Sequence, residues 1–191
     1  MIYLYSKFEN PNFIYFTNPK TASRSLRTHL RNNSIELEPE TPKKITVNIE
    51  DYFKFVFVRN PWDRILSAFL NKAVMGASKK NQLKRYAQFK DSPFSEFVYS
   101  IKNSDVNREE RHIRSQIKFV PDYIDFIGKY ENITADMNRV CEEIGIPFDG
   151  FPHMNKTKHK HYTEYYDNET REIVAEKYAK DIEHFDYKFG E

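Results

Sequence analysis

The sequence predicts a single α/β domain built on a mostly parallel sheet. Strand-like and helix-like runs alternate along the 191 residues, as in folds with parallel strands. The clearest strand runs, FIYFT at 13–17 and FKFVFV at 53–58, are rich in Phe and β-branched residues, and a helix-like segment follows each. Because no repeat, low-complexity tract or linker divides the chain, we expect one domain over residues 1–191.

The first half of the chain shows two strand–helix pairs. Phe13–Thr17 precedes Ser23–Arg31, which suits a helix, and Phe53–Val58 precedes Asn60-Pro61. An Asn followed by Pro is a typical helix start, with Asn as the N-cap and Pro at the first helical position. The apolar residues that continue this second helix at helical spacing are Ile65, Leu66, Phe69 and Leu70.

The second half repeats the same types of signal. Ser92-Pro93 again places a capping residue before a proline and predicts the start of a helix. Gly145 is expected just beyond the end of a helix, where a left-handed conformation is common. The predicted elements of this half are a helix over 93–101, a strand over 123–130, and helices over 132–144 and 164–180.

Composition excludes several classes of protein. Charged residues make up 30% of the chain but the net charge is only +2, so global charge does not indicate a nucleic-acid partner. With Cys141 as the only cysteine, an internal disulfide and a cysteine metal site are excluded. Residues 1–13 hold no apolar stretch of signal-peptide length, and no apolar run could cross a bilayer. We therefore expect a cytoplasmic protein without a membrane span.

The segment NPKTASRSL, residues 18–26, follows the first strand run and suits anion binding. A strand-to-helix turn offers open backbone N–H groups and the positive end of the helix dipole. Lys20 adds a mobile cation, and Thr21, Ser23 and Ser25 add short hydroxyl donors. The same residues also fit a plain serine-capped helix, so the segment alone leaves both interpretations open. It is not a Walker A loop, because no glycine precedes Gly76.

Arg59 forms a second candidate anion site, at the C-terminal end of the 53–58 strand run. Ligands of open α/β sheets bind beyond the carboxyl ends of strands, and a guanidinium matches a phosphate. Ser67, about two turns into the next helix, could converge on the same ligand. A salt bridge would explain Arg59 alone equally well. Trp62 and Arg64 are interpreted as structural residues.

These two segments resemble known motifs. PKTASRSL resembles the 5′-phosphosulfate loop of sulfotransferases that use 3′-phosphoadenosine 5′-phosphosulfate (PAPS), and FKFVFVRNPWDRILSAF resembles their 3′-phosphate motif. The nearest branch is that of the carbohydrate sulfotransferases grouped as sulfotransferase family 2. The resemblance continues through HIRSQ (112–116), IDFIGKYENI, HMNK (153–156) and DIEHFDYKF. It implies a P-loop-like, three-layer α/β sandwich with a central, mostly parallel sheet.

The resemblance also implies roles for residues. Lys20 would be catalytic and contact the 5′-phosphate and the bridging oxygen, while Arg59 and Ser67 would bind the 3′-phosphate. The loop containing Asn155 and Lys156 would cover the nucleotide. The residues that would cradle the phosphosulfate are Thr21, Ala22, Ser23, Arg24 and Ser25. PAPS would be the sulfuryl donor, a carbohydrate hydroxyl the acceptor, and no metal is expected.

The general base is the least determined part of the prediction. Sulfuryl transfer needs a group that takes the acceptor's proton, and His or Glu suits that task. His112 is the first candidate, with Gln116 one turn further on if that segment is helical. Glu40 and His29 are the alternatives, and a purely structural histidine fits His112 as well.

Other classes of function stay open at this stage. A nucleotide kinase or another phosphotransferase would need a glycine-rich loop and carboxylates for a metal, which the sequence does not offer. A non-catalytic binder of nucleotides or glycans would have no need of Lys20 beside a leaving group. A nucleic-acid module would carry a recognisable motif. The sequence does not predict an oligomeric state.

Overall fold

The computed structural model describes residues 3–6, 12–40, 48–71, 86, 88–151 and 159–191. The chain packs as two compact units, each described by itself below. One comprises Met1–Arg59 with Lys118–Lys156, and the other comprises Asn60–Ile117 with Thr157–Glu191. The α-helices of the described residues are α1 (Ser23–Asn32), α2 (Pro61–Phe69), α3 (Phe94–Ile101), α4 (Ile133–Glu143), α5 (Asn168–Lys177) and α6 (Ala179–Phe185). Each helix of the described part is too short or too polar to cross a membrane.

The first unit contains a five-stranded sheet of order β3-β1-β2-β4-β5. Its strands are β1 (Tyr3–Ser6), β2 (Phe13–Phe16), β3 (Leu37–Glu40), β4 (Phe53–Val58) and β5 (Phe126–Lys129). Strands β2, β4 and β5 are parallel, whereas β1 pairs antiparallel with both β2 and β3. The predicted α/β class with parallel strands at its centre is therefore confirmed.

Both faces of β2 and β4 are buried, which explains their continuous apolar sequences. On one face, Tyr15 and Phe55 stack with ring centroids 5.1 Å apart and pack against α1 and α4. On the other face, Ile14 and Val56 pack against residues of the 49–52 and 120–124 segments.

The second unit is helical around an apolar core. Helices α2, α3 and α5 contribute Leu66, Phe97 and Ile173 to this core, and Trp62 packs edge-on against Phe189 at an interplanar angle of 80°. The indole N–H of Trp62 donates to the Arg171 carbonyl at 3.0 Å. The structural role predicted for Trp62 therefore matches its surroundings.

Several predicted boundaries are confirmed. The 53–58 run is β4, and Asn60 caps α2 by accepting a hydrogen bond from the Trp62 amide at 3.2 Å. Gly145 is left-handed with φ 69°, and the amide of Ile146 donates to the Cys141 carbonyl at 2.9 Å. Helix α4 thus ends in a Schellman motif, in which a left-handed residue follows the helix and the amides of Gly145 and Ile146 donate back to its last turn.

Other predicted boundaries are wrong. Pro93, not Ser92, occupies the N-cap of α3, because its backbone is still extended with ψ 155°. The predicted strand 123–130 shortens to β5. The predicted helix 164–180 is interrupted at Tyr178, and α5 begins after Asp167, whose carboxylate accepts from the Thr170 amide at 2.7 Å. The strands β1 and β3 were not predicted, and β3 contains Pro39, which strands tolerate mainly at an edge, where β3 lies.

Candidate functional site

The segment from Asn18 to Ser25, here called the cradle loop, joins the end of β2 to the start of α1. Two of its non-glycine residues are left-handed, Lys20 with φ 74° and Ala22 with φ 59°. Such conformations cost about 1–3 kcal/mol each and persist only where the surroundings hold them. Helix α1 begins at Ser23, so the amides of Ser23 and Arg24 have no partner within the helix. The loop therefore presents backbone donors at the positive end of a helix.

The hydroxyl groups of the cradle loop stabilise the loop itself. The carbonyl of Asn18 accepts hydrogen bonds from Thr21 Oγ1 at 2.8 Å and from Ser23 Oγ at 2.9 Å. Thr21 is completely buried. In this conformation the hydroxyl hydrogens of Thr21 and Ser23 donate within the loop, so an anion would meet the backbone amides instead of the hydroxyl groups predicted from the sequence.

Two hydrogen bonds connect the cradle loop to the end of β4. The side-chain amide of Asn18 donates to the Phe57 carbonyl at 3.0 Å, and Arg59 Nη1 donates to the Lys20 carbonyl at 3.1 Å. The guanidinium of Arg59 lies 4.0 Å from the ring centroid of Tyr130 and is largely buried. The structure thus brings the Lys20 and Arg59 segments into direct contact.

The other residues predicted to bind the nucleotide lie on α1, on α2 and outside the described residues. Arg24 and Ser25 belong to the first turn of α1, with Arg24 exposed. Ser67 is half-buried on α2, which belongs to the second unit. Asn155 and Lys156 lie outside the described residues, so their predicted role stays a prediction.

His112 lies in the second unit, beside a carboxylate. Its Nδ1 atom is 2.7 Å from Glu110 Oε1, and its backbone N–H donates to Glu110 Oε2 at 3.0 Å. Both side chains are about one-fifth exposed, at 20% and 19%. The condition that would place Gln116 one helical turn after His112 is not met: residues 111–113 form a turn, and Gln116 begins a short 3-10 helix.

Buried side chains fix the segment that carries His112, here called the 109–117 loop. Arg64, which is completely buried, donates to the carbonyls of Arg114 at 2.9 Å and Arg111 at 3.3 Å. The Tyr178 hydroxyl donates to the Ile113 carbonyl.

The Asp181 carboxylate accepts from Ser115 Oγ and from the amides of Gln116 and Ile117. The structural role predicted for Arg64 fits these contacts, whereas Tyr178 and Asp181 were not singled out from the sequence.

The two alternative bases have different surroundings. His29 is buried on α1 between Cys141, whose Sγ is 3.6 Å from Nε2, and the ring of Phe148. Burial lowers the pKa of His29, although the Pro147 backbone and Asp149 oppose the shift. These contacts are those of a core residue. Glu40 ends β3, and its side chain lies outside the described residues.

Among the described residues, no group of three or more His, Cys, Asp or Glu side chains could hold a metal ion. The expectation that the reaction needs no metal stays a prediction.

The fold and the site together define a class of protein. Parallel strands, a lysine-bearing loop that leads into a helix, and an arginine at the end of the adjacent strand are typical of α/β proteins that bind phosphate or sulfate groups. Residues 1–188 match the model of the Sulfotransferase family, and the chain belongs to this family.

Carbohydrate sulfotransferases are among the curated relatives of the chain. It is 29% identical over 146 residues to human carbohydrate sulfotransferase 14, covering 68% of this chain and 37% of the human protein. It is 26% identical over 188 residues to mouse carbohydrate sulfotransferase 11, covering 83% and 53%. An uncharacterised protein of Archaeoglobus fulgidus is 30% identical over 98 residues, covering 51% and 72%. No solved structure matches the chain significantly.

These matches confirm the predicted family and its carbohydrate branch. The chain covers 37% of the length of the human carbohydrate sulfotransferase and 53% of the length of the mouse one named above. Its own activity, donor and acceptor are therefore proposals, which follow.

Proposed function

We propose that the protein transfers a sulfuryl group from PAPS to a hydroxyl group of a carbohydrate and releases adenosine 3′,5′-diphosphate. Family membership supports PAPS as the donor, and the names of the relatives support a carbohydrate acceptor. One observation carries the proposal: Arg59 Nη1 lies 3.1 Å from the Lys20 carbonyl, so two anion-binding motifs from distant parts of the chain meet. A ligand that carries phosphate groups on the 3′ and 5′ positions of one ribose suits such a pair.

The cradle loop would bind the 5′ end of the donor. The amides at the start of α1 and the helix dipole favour a doubly charged group there. Lys20 would place its ammonium at the 5′-phosphate and the bridging oxygen, with Thr21, Ala22, Ser23, Arg24 and Ser25 forming the cradle.

Arg59 would bind the 3′-phosphate. Its bond to the Lys20 carbonyl and its contact with the Tyr130 ring hold the guanidinium at the end of β4, and the forked geometry of a guanidinium suits a phosphate. Ser67, Asn155 and Lys156 stay predicted nucleotide contacts on the family resemblance alone.

The proposed chemistry is an in-line displacement at sulfur. The acceptor oxygen forms a bond to sulfur while the bond between sulfur and the bridging oxygen breaks, and its electron pair stays on the bridging oxygen. Negative charge therefore grows beside Lys20 and the loop amides, where fixed donors are most effective. The acceptor's proton passes to a general base.

We propose His112 as that base, with support from its contact with Glu110. A carboxylate only accepts hydrogen bonds, so in the neutral imidazole the hydrogen lies on Nδ1 at 2.7 Å from Glu110. Nε2 then carries the lone pair that a base needs.

The single-domain organisation and the cytoplasmic location remain predictions that limited proteolysis and fractionation would test.

The experiment that tests the proposed function is a transfer assay with PAPS and a panel of glycan acceptors, with products identified by accurate mass. We expect addition of sulfate, unaffected by EDTA. Strict metal dependence or addition of phosphate from a nucleoside triphosphate would instead favour a phosphotransferase.

Lys20→Ala should lower the turnover by about 10²–10³-fold, the usual loss when a donor to the developing charge is removed. The folded fraction, measured by circular dichroism, should not change. Lys180→Ala is the matched control, because Lys180 is an exposed lysine on α6 of the other unit. Near-normal turnover in Lys20→Ala would contradict the role of Lys20.

A further inference from the structure

Tyr15 lies directly beneath the cradle loop, although no anion-binding role was predicted for it. It is the third residue of β2 and is completely buried. Its hydroxyl donates to Ser23 Oγ at 2.9 Å. Ser23 is the first residue of α1, so this bond ties the start of the helix to the sheet.

The hydrogen bonds around Tyr15 are linked in series: Tyr15 donates to Ser23, and Ser23 donates to the Asn18 carbonyl. Burial raises the pKa of Tyr15 to about 12, although hydrogen bonds with Ser23 and Thr21 oppose the rise. The phenol therefore stays protonated at neutral pH and acts as the donor. Since Ser23 Oγ accepts from Tyr15, its own hydrogen is directed to the Asn18 carbonyl at 2.9 Å.

The Asn18 carbonyl is the end point of this chain and also accepts from Thr21 Oγ1. The side chain of Asn18 in turn donates to the Phe57 carbonyl of β4. These bonds surround Lys20 and Ala22, the two left-handed residues whose backbone conformation needs support. The chain from Tyr15 thus compensates for the unfavourable backbone of the loop.

We propose that Tyr15 is a positioning residue that holds the cradle loop in the conformation that binds the 5′ end of the donor. It does so through Ser23 and the Asn18 carbonyl, without touching the ligand. The proposal rests on the proposed function, because it takes the cradle loop as the 5′ site. Removal of the hydroxyl should weaken binding of the 5′ group more than that of the 3′ group, since Arg59 lies beyond β4 and rests on Tyr130 in addition to its bond to the Lys20 carbonyl.

The test compares three probes by calorimetry: adenosine 3′,5′-diphosphate, adenosine 5′-monophosphate and adenosine 3′-monophosphate. In Tyr15→Phe the affinities for the first two should fall about three- to tenfold, the loss expected for one hydrogen bond. The affinity for the 3′-monophosphate should change by less than about twofold. A general loss of stability would weaken all three probes, so this selectivity separates positioning from a merely structural role.

Two further variants keep the test interpretable. Ser23→Ala should show the same selectivity, and adding it to Tyr15→Phe should cost little more, because both act through one chain. Tyr166→Phe is the matched control: its phenol also donates one hydrogen bond, to the Trp62 carbonyl at 2.8 Å, but belongs to the second unit. It should leave the affinities for all three probes unchanged.

The outcomes separate the two proposals. If wild-type protein binds adenosine 3′,5′-diphosphate and transfers sulfate, but Tyr15→Phe binds the 5′-monophosphate normally, the role of Tyr15 is wrong and the proposed function stands. A uniform loss for all three probes in Tyr15→Phe would also overturn the role. If the wild-type protein neither binds the diphosphate nor transfers sulfate, the proposed function itself fails.

Discussion

The cradle loop and the 109–117 loop are both irregular segments held by hydrogen bonds, but their supports come from different distances along the chain. The donors to the Asn18 carbonyl lie three and five residues away, and Tyr15 lies eight residues from Ser23. The 109–117 loop is held by Arg64, Tyr178 and Asp181, which lie 47 to 66 residues from their partners. The cradle loop is therefore held by these local bonds together with two bonds to the end of β4, 39 residues away. The 109–117 loop, in contrast, depends on helices elsewhere in its unit.

This difference predicts where a single substitution destabilises the protein most. A residue with several distant partners joins separate elements, so its loss should lower the free energy of unfolding of the whole unit. A residue with local partners should change the loop and its ligand affinity more than global stability. Three substitutions test this contrast, beginning with the largest expected effect, and a fourth prediction concerns pH and His29.

Asp181→Ala should lower the free energy of unfolding by about 3 kcal/mol, because the buried amides of Gln116 and Ile117 and the Ser115 hydroxyl would lose their acceptor. For a chain of this size that corresponds to a fall in Tm of about 6–12 °C. Urea and thermal unfolding measure both. Asp122→Ala, an exposed carboxylate, should stay within about 0.5 kcal/mol of wild type. A loss below about 1 kcal/mol for Asp181→Ala would contradict the distant-support account.

Tyr178→Phe should cost about 1–2 kcal/mol, since the Ile113 carbonyl would be left without its buried donor. The control is Tyr99→Phe, whose exposed hydroxyl donates to Glu169 at 3.0 Å and which should cost less than about 0.5 kcal/mol. Equal costs for the two variants in urea unfolding would show that the 109–117 loop does not need its distant support.

Thr21→Val should weaken the binding of adenosine 5′-monophosphate by about 1 kcal/mol. The valine keeps the shape of the side chain but removes one local hydrogen bond to the Asn18 carbonyl, which supports the loop. Thr21→Ser keeps the hydroxyl and should restore most of the loss in affinity for adenosine 5′-monophosphate. Calorimetry of the two variants provides the measurement. If valine and serine behave alike, the hydroxyl does not support the loop.

The smallest expected effect concerns pH and His29. Burial lowers the pKa of His29 in the folded protein, so the unfolded chain binds the proton more readily. Stability is therefore fully present above the unfolded pKa, near 6.5, and decreases as the pH falls towards the folded value. In His29→Gln the Tm should fall less between neutral and mildly acidic pH than it does in wild type. An identical fall in both proteins would exclude this contribution.

The same contrast explains what the sequence could predict. The cradle loop was recognisable because its strand, its lysine and its hydroxyl residues are contiguous, and β4 with its Asn60 cap was predicted for the same reason. Tyr178 and Asp181 were missed because nothing near them in the sequence indicates partners some 65 residues away. The inward direction of the Thr21 hydroxyl also depends on backbone conformation, which residue types alone did not reveal.

Strand prediction failed where pairing decides the structure. Strand β1 exists as the antiparallel neighbour of β2, with Leu4 opposite Tyr15, and β3 exists as the neighbour of β1. Such short strands are specified by the strand beside them more than by their own sequence. The break at Tyr178 between α5 and α6 has a similar origin, since the side chain of Tyr178 is buried against the 109–117 loop.

The central claim is that the Lys20 and Arg59 motifs bind one nucleotide together, and titration with adenosine 3′,5′-diphosphate tests it most directly. We predict one nucleotide per chain, bound at least about tenfold more tightly than either monophosphate, since each phosphate would add charge-assisted bonds. Arg59→Ala should reduce the affinity for the diphosphate to that for adenosine 5′-monophosphate. A wild-type protein that binds the diphosphate no better than the 5′-monophosphate, or an Arg59→Ala variant with unchanged affinity, would contradict the claim.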